Sequence, residues 1–165
     1  MLNKREFLFR SAGLGLAVPL GLRAGWVGTA AAAAYSVSHS DAEWKKLLSP
    51  AAYHVLRREG TERAYSSPLN DEHRKGVFAC AGCNQAAFSS DAKFDSGTGW
   101  PSFTRALPGA VGTGQDHRLM MARTEVHCSR CGGHLGHVFD DGPAPTGKRF
   151  CMNGVAMTFK PGATA

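Results

Sequence analysis

The chain has 165 residues, 43% of them apolar, which is enough for one domain of ordinary size with a real core and a short appendage. Its 20 glycines and aperiodic aromatics favour short strands and turns over a helical bundle. The formal net charge is +6, but Lys4, Arg5, Arg10 and Arg23, less Glu6, supply half of it, and the rest is ordinary solubility charge that makes no case for nucleic acid as a partner.

Residues 1–34 read as an address. A basic stretch from Asn3 to Leu8 precedes an apolar run from Ala12 to Leu22, and a small-residue tract from Thr29 to Ala34 offers Ala-x-Ala cleavage sites. The apolar run is shorter than the ~20 residues a bilayer span needs, and Pro19 and Arg23 interrupt any longer helix. Lys4-Arg5-x-Phe7-Leu8 resembles a twin-arginine export signal with Lys in place of the first Arg. That route exports folded protein, so thiol sites could be loaded with metal in a reducing cytosol. The general secretory route is the alternative for the same segment, and an uncleaved anchor or tail a third. The expectation is a removed signal, a periplasmic protein, a single mature domain over residues 35–165 and no stable membrane partner.

Ser40-Asp41-Ala42-Glu43 has capping-box spacing ahead of Trp44, Leu47 and Leu48. Ser49-Pro50 reads as an N-cap and a first-position proline, opening a second short helix over Ala51 to Glu59 that Gly60 stops. Helix signals then fade. Ser66 to Asn70 looks like a loop, Val77-Phe78-Ala79 leads into a cysteine pair, and Leu107 to His117 is full of turn residues. Leu119 to Val126 and Arg149 to Phe159 read as strands, with Asp140 to Gly147 as a Pro/Gly-rich loop between motifs.

Cys80-Ala81-Gly82-Cys83 and Cys128-Ser129-Arg130-Cys131 are two C-x-x-C pairs. Two residues between thiols let both sulfurs of a tight turn face one ion, and two such turns complete the closed four-thiolate shell of structural zinc. The 44 intervening residues require a strand-rich insertion that returns the second pair to the first. Disulfides or a redox C-x-x-C are the rival, but neither pair opens a helix in a βαβ pattern. Iron also accepts four thiolates, although a site without a redox task favours zinc.

Cys151 is left over. A lone cysteine is either a small core residue or a nucleophile. Its neighbourhood includes His134 and His137, three apart beside the second pair, which can donate protons, bind a polar oxygen, or serve as further metal ligands.

Ser96-Gly97-Thr98-Gly99-Trp100-Pro101-Ser102-Phe103, His134-Leu135-Gly136-His137-Val138-Phe139 and Arg149-Phe150-Cys151-Met152-Asn153 resemble the signatures of B-type methionine sulfoxide reductases. The resemblance runs from about Ala42 to Lys160. It implies a mainly β fold of two small antiparallel sheets, sometimes called a β-tent, with short N-terminal helices and structural Zn2+ on the cysteine pairs. It also implies reduction of the R epimer of methionine sulfoxide, mainly in proteins. Carried onto this chain, Cys151 is the nucleophile and Trp100 packs against the substrate methyl group. His134, His137 and Asn153 hold or protonate the sulfoxide oxygen, and Phe103 of the Trp100 motif counts with it as substrate-binding. Arg149, two residues from Cys151, falls on the same strand face, where a cation favours a thiolate and substrate. Thr98 stands where many relatives carry a resolving cysteine, so an external, thioredoxin-like thiol is the expected reductant. The rivals from other classes are a non-catalytic zinc-ribbon binding module and a thiol peroxidase.

Overall fold

The computed structural model describes residues 35–118 and 122–162. Residues 1–34, read above as an export signal, lie outside them, as do residues 119–121 at the start of the strand expected from Leu119. Among the described residues, no helix is long and apolar enough to cross a membrane.

Two short helices open the domain where local signals place them. In α1 (Asp41–Leu47) the capping box is complete: the Glu43 N–H donates to Ser40 Oγ at 3.4 Å, and the Ser40 N–H donates to the Glu43 carboxylate at 2.8 Å. In α2 (Pro50–Arg58) Ser49 Oγ accepts from the Ala52 N–H. The helix ends just before the expected glycine, because Glu59 itself takes the left-handed conformation, with φ 53°. The α2 face bearing Ala52, Val55 and Leu56 is buried.

The rest is two antiparallel sheets. The strands are β1 (Gly76–Cys80), β2 (Ala86–Ser89), β3 (Lys93–Phe94), β4 (Ser102–Phe103), β5 (Val111–Asp116), β6 (Arg123–Cys128), β7 (His134–Phe139), β8 (Arg149–Met152) and β9 (Met157–Pro161). The small sheet runs β2-β1-β9 and the large one β3-β4-β8-β7-β6-β5. The mainly β, two-sheet architecture expected from the sequence is the one found.

Two strand boundaries differ from expectation. Leu107 to His117, read as turns, contains β5. Its glycines make room for cross-strand side chains: a Cβ on Gly112 would lie 2.5 Å from the His127 ring. Arg149 to Phe159, read as one strand, is broken by a 3-10 turn at Gly154–Ala156 that carries the chain from the large sheet to the small one. Ser67 packs so tightly against Gly154 that a Cβ there would lie 1.9 Å from its hydroxyl.

The core lies between the sheets and α2. Phe103 stacks on Phe88 with centroids 4.5 Å apart and meets Phe78 edge-on at 4.9 Å; all three are fully buried. Each such ring contributes roughly 1.5–3 kcal/mol of burial free energy. This aromatic floor carries β4 and β8, the strands that present the candidate site.

Candidate active site

β8 lies between β4 and β7, so Cys151 has a defined neighbour on each side: Ser102 on β4 and His137 on β7. Arg149 shares the Cys151 face by strand alternation and pairs across with Phe139. A small cleft of about 130 Å³ opens there, lined by Trp100, Arg123, His137, Phe139, Cys151 and Asn153. Cys151 is half-buried.

Thr98 Oγ1 sits 3.8 Å from Cys151 Sγ. It belongs to a chain of hydroxyls, since Ser96 Oγ lies 2.8 Å from Thr98 Oγ1 and 2.7 Å from Ser102 Oγ. The flanking glycines let this loop turn: Gly97 and Gly99 have φ of 68° and 89°, and Gly99 abuts Tyr65.

The two histidines owe their joint orientation to a bulge. Val126 pairs with Gly136 but His127 pairs with His134, so β7 carries an extra residue, Leu135. In a regular strand, residues three apart face opposite ways; the extra residue cancels that alternation and brings the two rings to 5.2 Å. His137 lines the cleft, with Nε2 2.7 Å from Asp116 Oδ2, and Arg123 donates to the same oxygen at 2.7 Å. Burial pulls the His137 pKa below its ordinary value, and the hydrogen bond to Asp116 opposes that pull. The Arg118 N–H and the His137 ring hold the Asp116 carboxyl well below the usual carboxylate range. His134 sits behind, almost fully buried, with Nδ1 2.8 Å from Glu125 Oε1. Hydrogen bonds from His127 and His134 draw Glu125 down to about 2.

The remaining sequence candidates separate by layer. Arg149 makes a two-point ion pair with Asp141, at 2.9 Å for each contact, and lies 4.4 Å over the Phe139 ring. Its pKa is raised, first by Asp141 and further by the charge of Cys151. Asn153 lines the cleft, but its amide is engaged: Nδ2 donates to Leu135 O at 3.1 Å and Oδ1 accepts from the Glu62 N–H at 2.9 Å. Phe103 is in the aromatic core, because it pairs with Phe150 while its neighbour Ser102 pairs with Cys151.

The four other cysteines gather at the ends of β1 and β6. Their sulfurs all lie within 4.8 Å of one another, with Cys80 to Cys131 at 3.7 Å and Cys83 to Cys128 at 3.5 Å. The two turns repeat one hydrogen-bond pattern. Asn84 N–H donates to Cys80 O and Cys80 N–H to Gln85 O; likewise Gly132 N–H donates to Cys128 O and Cys128 N–H to Gly133 O. Asn84 and Gly132 supply the left-handed residue, with φ of 59° and 67°. None of the five cysteines forms a disulfide. A tetrahedral shell with metal–sulfur bonds of ~2.3 Å has edges of about 3.8 Å, so the four sulfurs suit one metal ion. Their mutual hydrogen bonds lower the pKa of Cys128 and raise that of Cys131, a crowd of thiols that a divalent cation would ionise by displacing the protons.

Residues 48–161 match the SelR domain family. The chain belongs to the SelR-domain family of B-type methionine sulfoxide reductases. A peptide methionine sulfoxide reductase MsrB of Methanosarcina barkeri is 56% identical over 126 residues, covering 76% of this chain and 89% of that one. The proteins of the same name from Agrobacterium fabrum and Leptospira interrogans are 51% and 49% identical, over 76% of this chain in each case and 93% and 97% of their own lengths.

In this SelR domain several residues of the site escaped sequence reasoning, among them Arg123 in the cleft wall, Asp116 and Glu62. Asp116 is hidden in the glycine-rich β5. Glu62 lies where helix signals fade, yet it ties the cleft together. Its carboxylate accepts from the Gly154 and Val155 N–H groups at 2.6 and 2.9 Å, its N–H holds Asn153, and its carbonyl accepts from Trp100 Nε1 at 3.2 Å. The tie of Asp116 to His137 and that of Glu62 to Trp100 have no local signal, because those partners lie more than 20 positions away in sequence.

Proposed function

We propose that this SelR domain reduces the R epimer of methionine sulfoxide in proteins, with Cys151 as the nucleophile. The observation that carries this reading is the placement of Cys151 directly across from His137 in a cleft walled by Trp100. The substrate methyl group packs on the Trp100 ring. The Cys151 sulfur attacks the sulfoxide sulfur while protonated His137 delivers its proton to the oxygen, which otherwise leaves poorly. In the resulting adduct, with a new S–S bond and a hydroxyl on the substrate sulfur, the hydroxyl passes to the Cys151 sulfur as the S–S bond breaks, so methionine departs and Cys151 is left as a sulfenic acid. Asn153 and Glu62 set the position of Trp100 and of the turn after Cys151, and His134 buttresses His137. Arg149, held by Asp141, orients beside the cleft. With R- and S-sulfoxide offered separately in dithiothreitol, the R epimer alone is consumed; peroxide consumption without sulfoxide turnover would indicate a thiol peroxidase instead.

Cys80, Cys83, Cys128 and Cys131 would hold one structural Zn2+, which joins the two turns and takes no part in the redox step. Two external thiols then reduce the sulfenic acid, releasing water and leaving the donor as a disulfide, and a thioredoxin-like protein fits that role. Residues 1–34 direct export to the periplasm; the mass of the mature N-terminus tests this.

Three predictions follow the geometry. His137→Ala slows the chemical step by about 10²-fold. Asp116→Asn keeps the ring but withdraws the carboxylate that raises its pKa, so the protonated acid is lost at lower pH. The alkaline limb of the kcat profile therefore moves to lower pH; an unmoved limb would assign the proton to another group. Thr98→Cys puts a thiol beside Cys151, because Thr98 Oγ1 already lies 3.8 Å from Cys151 Sγ. One turnover without reductant then yields a 98–151 disulfide by peptide mapping, and a persistent sulfenic acid in that variant would show the loop is too rigid to close.

A further inference from the structure

The cleft at Cys151, about 130 Å³, takes one side chain. Beside it lies a much larger groove of about 620 Å³, within the ~300–1,000 Å³ range of ligand-binding pockets. Val55 and Met157 floor it, both almost fully buried, and Ala51, Leu69 and Val155 form its apolar sides. Charged and polar groups, His54, Glu62 and Arg63, stand among the lining.

Groove and cleft share a wall. Thr61 lines both, and the chain passes from one to the other as Asn153 faces the cleft while Gly154 and Val155 face the groove. Glu62 fixes that wall from both sides, through the Gly154 and Val155 N–H groups and through Asn153 and Trp100. The spacing between groove and reacting centre is therefore set by hydrogen bonds rather than by a mobile loop.

We infer that the groove seats an apolar side chain, of the Leu or Phe kind, that flanks the methionine sulfoxide in an oxidised polypeptide. The inference rests on the reductase reading above and adds the sequence preference of its substrate. An extended chain advances ~3.3 Å per residue, so a flanking residue one to four positions away spans the shared wall. Contact remote from the reacting sulfur adds binding energy that a free methionine sulfoxide lacks.

The test compares three R-sulfoxide substrates in dithiothreitol: N-acetyl-methionine sulfoxide amide, a Gly/Ser peptide around the sulfoxide, and the same peptide with one Leu or Phe scanned over four positions on each side. At one position the apolar residue raises kcat/KM by about 10-fold or more, mainly through KM. Ala51→Glu removes that gain. Residue 51 is exposed in the first turn of α2, where an acid suits the helix end, so the fold is preserved. Leu69→Ser gives the same loss, and neither variant alters turnover of the small amide. Equal kcat/KM at every scanned position would overturn the groove assignment while leaving the reductase activity standing. Slowing confined to thioredoxin-driven turnover would overturn it too, assigning the groove to the reductant. No turnover of any R-sulfoxide by the unsubstituted protein would overturn the reductase reading itself.

Discussion

Cys151→Ser abolishes turnover of R-sulfoxide and leaves the protein folded with its metal bound. Serine is close to cysteine in size, and the residue is half-buried at the edge of a cleft, so packing is barely disturbed. Cys151 is also absent from the four-sulfur cluster, so the metal shell keeps all its ligands. What is lost is a polarizable, strongly nucleophilic sulfur; a serine hydroxyl in its place is a far weaker nucleophile. Turnover, elemental analysis and circular dichroism on one preparation separate the effects. Residual R-sulfoxide reduction by the serine protein would move the nucleophile elsewhere.

Cys80→Ser, or Cys131→Ser, loses both metal and soluble fold. The two turns lie at the end of β1 in the small sheet and the end of β6 in the large one, so an ion held there would tie the two sheets together. Structural zinc contributes on the order of 10 kcal/mol to folding in small zinc peptides, against a net stability of ~5–15 kcal/mol for a typical domain. Both residues are buried, so a serine hydroxyl would also lack the water that ordinarily solvates it. Metal content by elemental analysis and soluble yield report the outcome. Full activity and solubility in a metal-free preparation would remove the metal from the account.

The parts that could be read from sequence were those encoded by local or compositional signals. The Ser40 capping box and Ser49-Pro50 place both helices because the partners lie within one turn. The two equally spaced cysteine pairs favour a metal site over disulfides or a redox pair, and the odd one stands out against them. Strand β5 was missed because Gly112 and Gly114 resemble turn residues, although they are there to admit His127 and Glu125. The break between β8 and β9 is set by Glu62 and Ser67, far away in the chain. The motif around Trp100 carried no burial information. Only the pairing of Ser102 with Cys151 shows that Phe103 turns toward the core. The shared orientation of His134 and His137 depends on one extra residue in β7, which no spacing rule specifies.

The most direct test is one turnover with a single equivalent of R-sulfoxide, no reductant, and dimedone present. With Thr98 beside Cys151 and the other four cysteines gathered in their own cluster, no thiol adjoins the oxidised sulfur. The account predicts one methionine formed per chain, a dimedone adduct on Cys151, no intramolecular disulfide, and no metal released to a zinc-sensitive dye. A disulfide between Cys151 and a cluster cysteine, with metal released in step, would contradict it.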